Sequence, residues 1–167
     1  LTNRMQHKAI SLTYGTLMRN TQGDLEDLRK SWVEDLGDIA DEEWMDALGF
    51  PGTVTIKTSF RLIQIKILLC ICYTRSLLHI IGLAKSSRCL RGCGQEGTWI
   101  HTLWSCPKVQ VFWKEVIGTL EETTEQVIRR DPRQVLLGIW ANSNLTKHQK
   151  ILINVGCMLA KRDIAQN

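Results

Sequence analysis

Cys89, Cys93, His101 and Cys106 are the residues of this chain whose types and spacing can do chemistry. They run Cys-x3-Cys-x7-His-x4-Cys, three thiols and one imidazole within 18 residues. Together they form a complete tetrahedral donor set for one zinc ion. With three thiolates in the set, such an ion is coordinatively closed and structural, with no position left for a reacting water. Gly92, Gly94 and Gly97 lie between the donors, where positive φ angles let backbone amides fold back toward thiolates. A second reading stays open on the residues alone: ordinary cysteines beside a histidine satisfied by its neighbours.

The elements that must position these donors read as helices. After Lys85-Ser86-Ser87 the first half of the cluster is expected to be a tight turn or short hairpin. The second half, with Trp99, Leu103 and Trp104, reads as helical, and Pro107 opens a further helix running toward Glu122. On an α-helix His101 and Cys106 would project about 140° apart, so a kink beside Pro107 is expected to bring them together. Upstream, Met5–Arg19 is compatible with an amphipathic helix. Gly23 and Asp24 supply a break and an N-cap, and Leu25, Leu28, Trp32 and Leu36 follow as one helical stripe ended by Gly37. Asp41 caps a shorter helix, with Trp44, Met45 and Leu48 inward and Gly49 and Pro51 closing it.

Ser59–Ser76 reads as a buried helix whose Lys and Arg side chains snorkel outward, with strand the alternative for part of this isoleucine-rich stretch. Cys70 and Cys72 fall on it about 200° apart, a poor geometry for one metal, and are expected in the core. Asp131-Pro132 lies in a variable stretch, and Thr146 starts a last amphipathic helix through Ile151, Leu152, Val155, Met158 and Leu159. The fold class that follows is mainly α: a small helical domain with an inserted Cys3His turn. The expected organisation is a helical segment at 1–85, the motif and its following helix at 86–118, and a C-terminal helical segment at 119–167.

Composition narrows the function classes. The chain has 167 residues, 44% of them hydrophobic, enough for one ordinary core. The apolar run from Leu62 to Ile81 is broken by Gln64, Lys66, Arg75 and His79, so no membrane span is expected. Six cysteines without a disulfide-like framework, and first residues without an apolar signal region, point to a reducing compartment, and an intracellular location is expected. The net charge of +4 conceals a division. Ten acidic residues fall between Gln22 and Asp46, leaving 19 basic and 7 acidic residues elsewhere. From Lys57 to Lys114 nine Lys or Arg surround the cluster with a single acid, Glu96. Such a basic field is the electrostatic footprint of a phosphate-binding surface.

His101-x4-Cys106 also has the spacing of zinc knuckles, modules that hold unpaired nucleic acid. Trp99, Trp104, Phe112 and Trp113 cluster about the last two donors, and one of these rings is expected to be exposed for stacking on a base. Arg88 and Arg91 flank the first cysteine, and Lys108 and Lys114 follow the last. These four cations, with Trp99 and Trp113, are the candidate nucleic-acid contacts. Lys161 and Arg162 are placed at the last helix's C-terminus, where cations are favoured. No Gly-rich phosphate loop, paired carboxylates on a strand turn or HExxH motif is present, so no catalytic residue is assigned. The runner-up reading is a helical protein-interaction domain, with the acidic helices as its surface and the cysteines incidental.

The stretch CLRGCGQEGTWIHTLWSCPKVQVFW resembles the cysteine-rich motif near the carboxyl end of reverse transcriptases from vertebrate long interspersed elements, the non-LTR retrotransposons. GDLEDLRKSWVEDLG upstream and CMLAKRDIAQN downstream are similar to that family's flanking helices. The resemblance implies that Cys89, Cys93, His101 and Cys106 are the ligand positions and Trp113 the trailing aromatic position. It implies a nucleic-acid-binding appendage of an RNA-directed DNA polymerase that holds template RNA or single-stranded or target DNA. The partners would include the polymerase and endonuclease domains of the parent polypeptide. A start at Leu1 rather than methionine fits such a fragment, without a catalytic centre of its own. The family's Thr-Pro-x-Arg-Leu pattern is replaced here by Thr74-Arg75-Ser76-Leu77-Leu78, and Cys70 and Cys72 stand where polar residues are expected; both departures point to a diverged or decayed element copy.

Overall fold

Helix ends set the architecture of this chain, described here from a computed structural model. The structure describes residues 22–54, 58–140 and 144–166. The expected helix at Met5–Arg19 lies outside them. Among the described residues the protein is mainly helical: α1 (Gln22–Leu36), α2 (Asp41–Val54), α3 (Thr58–Leu68), α4 (Arg75–Ile80), a π-helical turn (His101–Ser105), α5 (Pro107–Thr124), α6 (Pro132–Leu137) and α7 (Lys147–Gln166). None of these helices is long and apolar enough to cross a membrane. The chain divides into two compact units, Leu1–Ile39 and Ala40–Asn167. The boundaries expected near residues 85 and 118 both fall inside the second unit, and α5 runs through 118 without a break.

In the first unit α1 ends where the sequence indicates. Gly37 takes φ 80° and donates its N–H to the Val33 carbonyl at 2.9 Å. Trp32 is buried, whereas Leu25 at the start of the stripe is exposed.

The second unit is built around α7, which packs on α3, α5, α6 and the π turn, and more lightly on α2. Its start is a reciprocal cap. The Gln149 N–H donates to Thr146 Oγ1 at 3.3 Å, and the Thr146 N–H donates to Gln149 Oε1 at 2.9 Å. The buried face of α7 is not the stripe read from the sequence. Ile151, Leu152 and Leu159 are exposed, while Ile153, Asn154, Cys157, Met158, Lys161 and Ile164 are buried. Consecutive apolar residues such as Ile151-Leu152-Ile153 leave the phase of the helix open, and packing against α5 and α6 chooses it. Two polar side chains on that face are satisfied. Trp140 Nε1 donates to Asn154 Oδ1 at 2.7 Å, and Lys161 Nζ donates to the Leu136 carbonyl at 3.1 Å. Lys161 is therefore a core residue rather than a cation at a helix C-terminus.

Two more helices end differently from expectation. α2 runs on through Gly49 and Pro51, starting from Ala40, whose N–H donates to Glu43 Oε2 at 3.2 Å. Trp44, Ala47 and Phe50 form its buried face, and Met45 is exposed. The single helix expected at Ser59–Ser76 is two. α3 stops at Leu68, and Cys70 takes the left-handed conformation, φ 54°. The Ile71 N–H reaches the Lys66 carbonyl at 3.0 Å, and the Cys70 N–H reaches that of Ile67 at 2.9 Å, a Schellman termination with cysteine where glycine is usual. Cys70 and Cys72 thus lie in a connection, half-buried rather than in the core. Thr74 then caps α4, its Oγ1 accepting the Leu77 N–H at 3.3 Å, and Arg75 takes the first helical position.

Candidate metal centre

Cys89 and Cys93 are carried by a short hairpin. The Cys89 N–H donates to the Gln95 carbonyl at 2.8 Å and the Gly97 N–H to that of Ser87 at 2.7 Å, with Arg88 paired antiparallel to Glu96. Gly92 and Gly94 turn the chain with φ of 70° and 81°. Gly97 has an ordinary negative-φ role and is needed for space instead. A Cβ there would stand 2.9 Å from the Cβ of Arg75 and 3.2 Å from the Ser87 carbonyl oxygen. The Ser76 N–H donates to the Gly97 carbonyl at 3.1 Å, which ties the hairpin to α4.

His101 and Cys106 open and close the π turn. The Cys106 N–H donates to the His101 carbonyl at 3.0 Å, five residues back instead of four. That extra residue per turn brings the two side chains toward one side, which an α-helix would not do. The kink expected beside Pro107 is this widened turn, with Pro107 opening α5 directly after it. α5 secures the turn's loose carbonyls. Trp113 Nε1 donates to the Leu103 carbonyl at 2.9 Å and Gln110 Nε2 to that of Trp104 at 2.8 Å.

The four donor atoms lie within 4.8 Å of one another. Cys89 Sγ and Cys106 Sγ are 3.9 Å apart, and Cys93 Sγ is 3.1 Å from His101 Nε2. Metal–sulfur bonds of about 2.3 Å and tetrahedral angles call for about 3.8 Å between sulfurs and about 3.6 Å between sulfur and nitrogen. The sulfur pair already meets that spacing; the Cys93–His101 pair must open by about half an ångström. The sulfurs are too far apart for a disulfide, and all six cysteines of the chain are free. These residues can hold a metal ion.

The shifts at Cys93 and His101 suit that use, and the one at Cys89 opposes it. Burial pushes the Cys89 thiol up, opposed by a hydrogen bond from the Arg91 backbone N–H. The Gln95 backbone N–H holds the Cys93 thiol below its ordinary value, burial opposing it. The two hairpin sulfurs, of Cys89 and Cys93, thus each face an amide two residues on, the arrangement Gly92 and Gly94 permit. Burial, and then the positive charge of Arg91, push the His101 imidazole down, which favours the neutral form that ligates metals.

The other candidate residues are placed as follows. Arg91 is committed to structure: its guanidinium donates to the Thr102 carbonyl at 3.1 Å and the Ile164 carbonyl at 2.8 Å, joining hairpin, π turn and α7. Arg88 donates to the Gly94 carbonyl at 2.9 Å from an exposed position. Lys108 and Lys114 are exposed on α5. Trp113 is 0% exposed and offers no ring face to a base, a correction to its expected stacking role. Its indole fills the space beneath the π turn, 5.8 Å from the Trp104 ring. Trp99, Trp104 and Phe112 are half-buried, so none of the four rings is fully exposed. Tyr73 was not singled out by the sequence, yet its ring is 77% exposed. No signal short of the α3 termination would have shown it.

No family model matches the chain.

Proposed function

We propose that this chain is a nucleic-acid-binding segment of a non-LTR retrotransposon reverse transcriptase, organised by one structural zinc ion on Cys89, Cys93, His101 and Cys106. The observation that carries this reading is the convergence of the four motif residues at donor distances inside the basic block. Three sulfurs and one imidazole nitrogen form the donor set zinc prefers among common cellular metals, and they leave no open coordination position. The zinc ion ties the hairpin to the π turn. Arg88, Lys108 and Lys114 supply positive charge around it, with Trp99 partly accessible beside His101. The ligands for this segment are template RNA or single-stranded or target DNA, read mainly through phosphates.

Native mass spectrometry of the reduced chain tests the metal, with Cys93→Ser as control. One zinc per chain, lost in the control, is expected; a folded chain without zinc would reduce the four residues to packing. Because structural zinc can contribute roughly 10–16 kcal/mol of apparent binding free energy, a chelator should also unfold the hairpin. Fluorescence anisotropy with a labelled 12-nucleotide RNA tests the ligand. Affinity is expected to fall steeply between 50 and 200 mM salt, since neutralised phosphates release counterions. Salt-independent binding, or none, would favour the protein-interaction reading.

A further inference from the structure

A cavity of about 310 Å³ opens beside the metal centre, walled by α3, the 71–74 connection, the hairpin, the π turn and the end of α7. Its body is apolar, with Ile71, Tyr73, Leu90 and Leu103 among the lining side chains. Its volume lies near the lower end of ligand pockets, roughly 300–1,000 Å³, and suits one small group rather than a helix. Four cations also line it: Lys66, Arg75, Arg91 and Arg162. No carboxylate lines it among the described residues.

Two of these cations are already occupied. Arg91 holds two carbonyls, and Arg162 lies over the Phe60 ring at 5.3 Å, so both contribute field more than contacts. Lys66 is exposed on α3. Arg75 differs from all three: its Nε is shielded from solvent and has no hydrogen-bond partner. The terminal nitrogens of the same guanidinium make no hydrogen bond and are not shielded, so they, rather than the enclosed Nε, are free to meet an incoming anionic oxygen. With Arg91 and Arg162 engaged, Lys66 and Arg75 remain for contact, two cations beside an apolar wall, which match one phosphate carrying one flat apolar group. Tyr73, on the rim, presents a more exposed aromatic ring than the half-buried Trp99 and Trp104.

We infer that this cavity is a subsite for a single unpaired nucleotide, its base against Tyr73 and the apolar wall and its phosphate on Arg75 and Lys66. The inference rests on the nucleic-acid reading above and names the residues that would take one nucleotide. It also gives the metal centre a role at a distance, since Cys89, Leu90 and Arg91 form one wall.

The test compares the full-length chain with Tyr73→Ala and with the double variant Lys66→Gln, Arg75→Gln. Three labelled probes are used: a 12-nucleotide single-stranded RNA, the same strand with abasic sites throughout, and a blunt duplex. Tyr73→Ala is expected to weaken single-strand binding about tenfold, as loss of one base stack does, and to leave duplex binding unchanged. The abasic strand should bind wild type as weakly as the RNA binds Tyr73→Ala. The double variant should lose affinity for both single strands. If wild type binds RNA and Tyr73→Ala binds it equally well, the subsite is refuted while the nucleic-acid reading stands. If wild type binds none of the three probes, both fall together. Because Tyr73 is exposed, its variant reports even where the double variant disturbs the fold.

Discussion

Lys161→Met is the perturbation whose outcome follows most directly from the packing. Lys161 is 0% exposed, yet it carries an amine that donates to the Leu136 carbonyl at 3.1 Å and lies 5.1 Å from the centre of the Phe50 ring. Burial lowers its pKa to about 8, with the Cys157 thiol acting weakly the other way. Measured against 10.5 for an unburied lysine, the folded state disfavours the ammonium by roughly 3 kcal/mol at neutral pH. Methionine keeps the length and apolar stem, and the Leu136 carbonyl still accepts from Gln64 Nε2 at 2.8 Å. The variant is therefore expected to be more stable at pH 7 by roughly 1–3 kcal/mol, as when buried charges give way to well-packed apolar groups.

The pH dependence separates this account from simple packing. Between the folded pKa and the unfolded one the unfolded chain binds more protons, so the lysine's contribution to stability rises with pH. From pH 7 to 9 that gain is roughly 1 kcal/mol in the wild type. The Cys157 thiol, pushed up to about 11 by burial, opposes it by a few tenths, a contribution common to both proteins. Urea unfolding of both proteins, followed by circular dichroism at pH 7 and pH 9, should show the variant's advantage shrinking by about 1 kcal/mol. An advantage that does not change with pH, or a variant less stable than wild type at both, would refute the reasoning.

The remaining predictions concern backbone geometry around the site. Gly97→Ala should destabilise the hairpin by roughly 1–3 kcal/mol and lower metal affinity in a chelator competition, because its Cβ would meet Arg75 and Ser87. Gly49→Ala, in α2 with open space around it, should stabilise by up to about 1 kcal/mol in the same urea assay. Cys70→Gly relieves a left-handed cysteine and should raise stability by roughly 0.5–1 kcal/mol, after the greater chain entropy of glycine is subtracted; an unchanged midpoint would mean no such relief.

Local chemistry was legible at several helix ends, though not at Gly23-Asp24 or Gly49-Pro51, which lie inside α1 and α2. Thr146, Gly37, and Pro107 opening α5 all act where the sequence places them, because caps and terminators work within a turn of themselves. The donor set was legible for the same reason: thiols and an imidazole must be present in the chain before any fold can gather them. That the described residues are mainly helical, with no helix among them long and apolar enough to cross a membrane, also followed from periodicity and interrupted apolar runs.

What tertiary structure decided was phase, exposure and the small departures from α geometry. The apolar run around Ile151 does not say which side of α7 faces inward, and its packing placed Lys161 in the core. Trp113 could have been a base platform or a filler by its type, and the need to cover the π turn made it the latter. Cys70 carries no terminator chemistry, so the break after Leu68 depends on where α4 and the hairpin must sit. The π turn, which brings His101 and Cys106 to one side, is a single added residue in a helix, invisible to any periodicity. Local propensities are set by neighbours along the chain, whereas burial and register are set by neighbours in space, and only the fold supplies those.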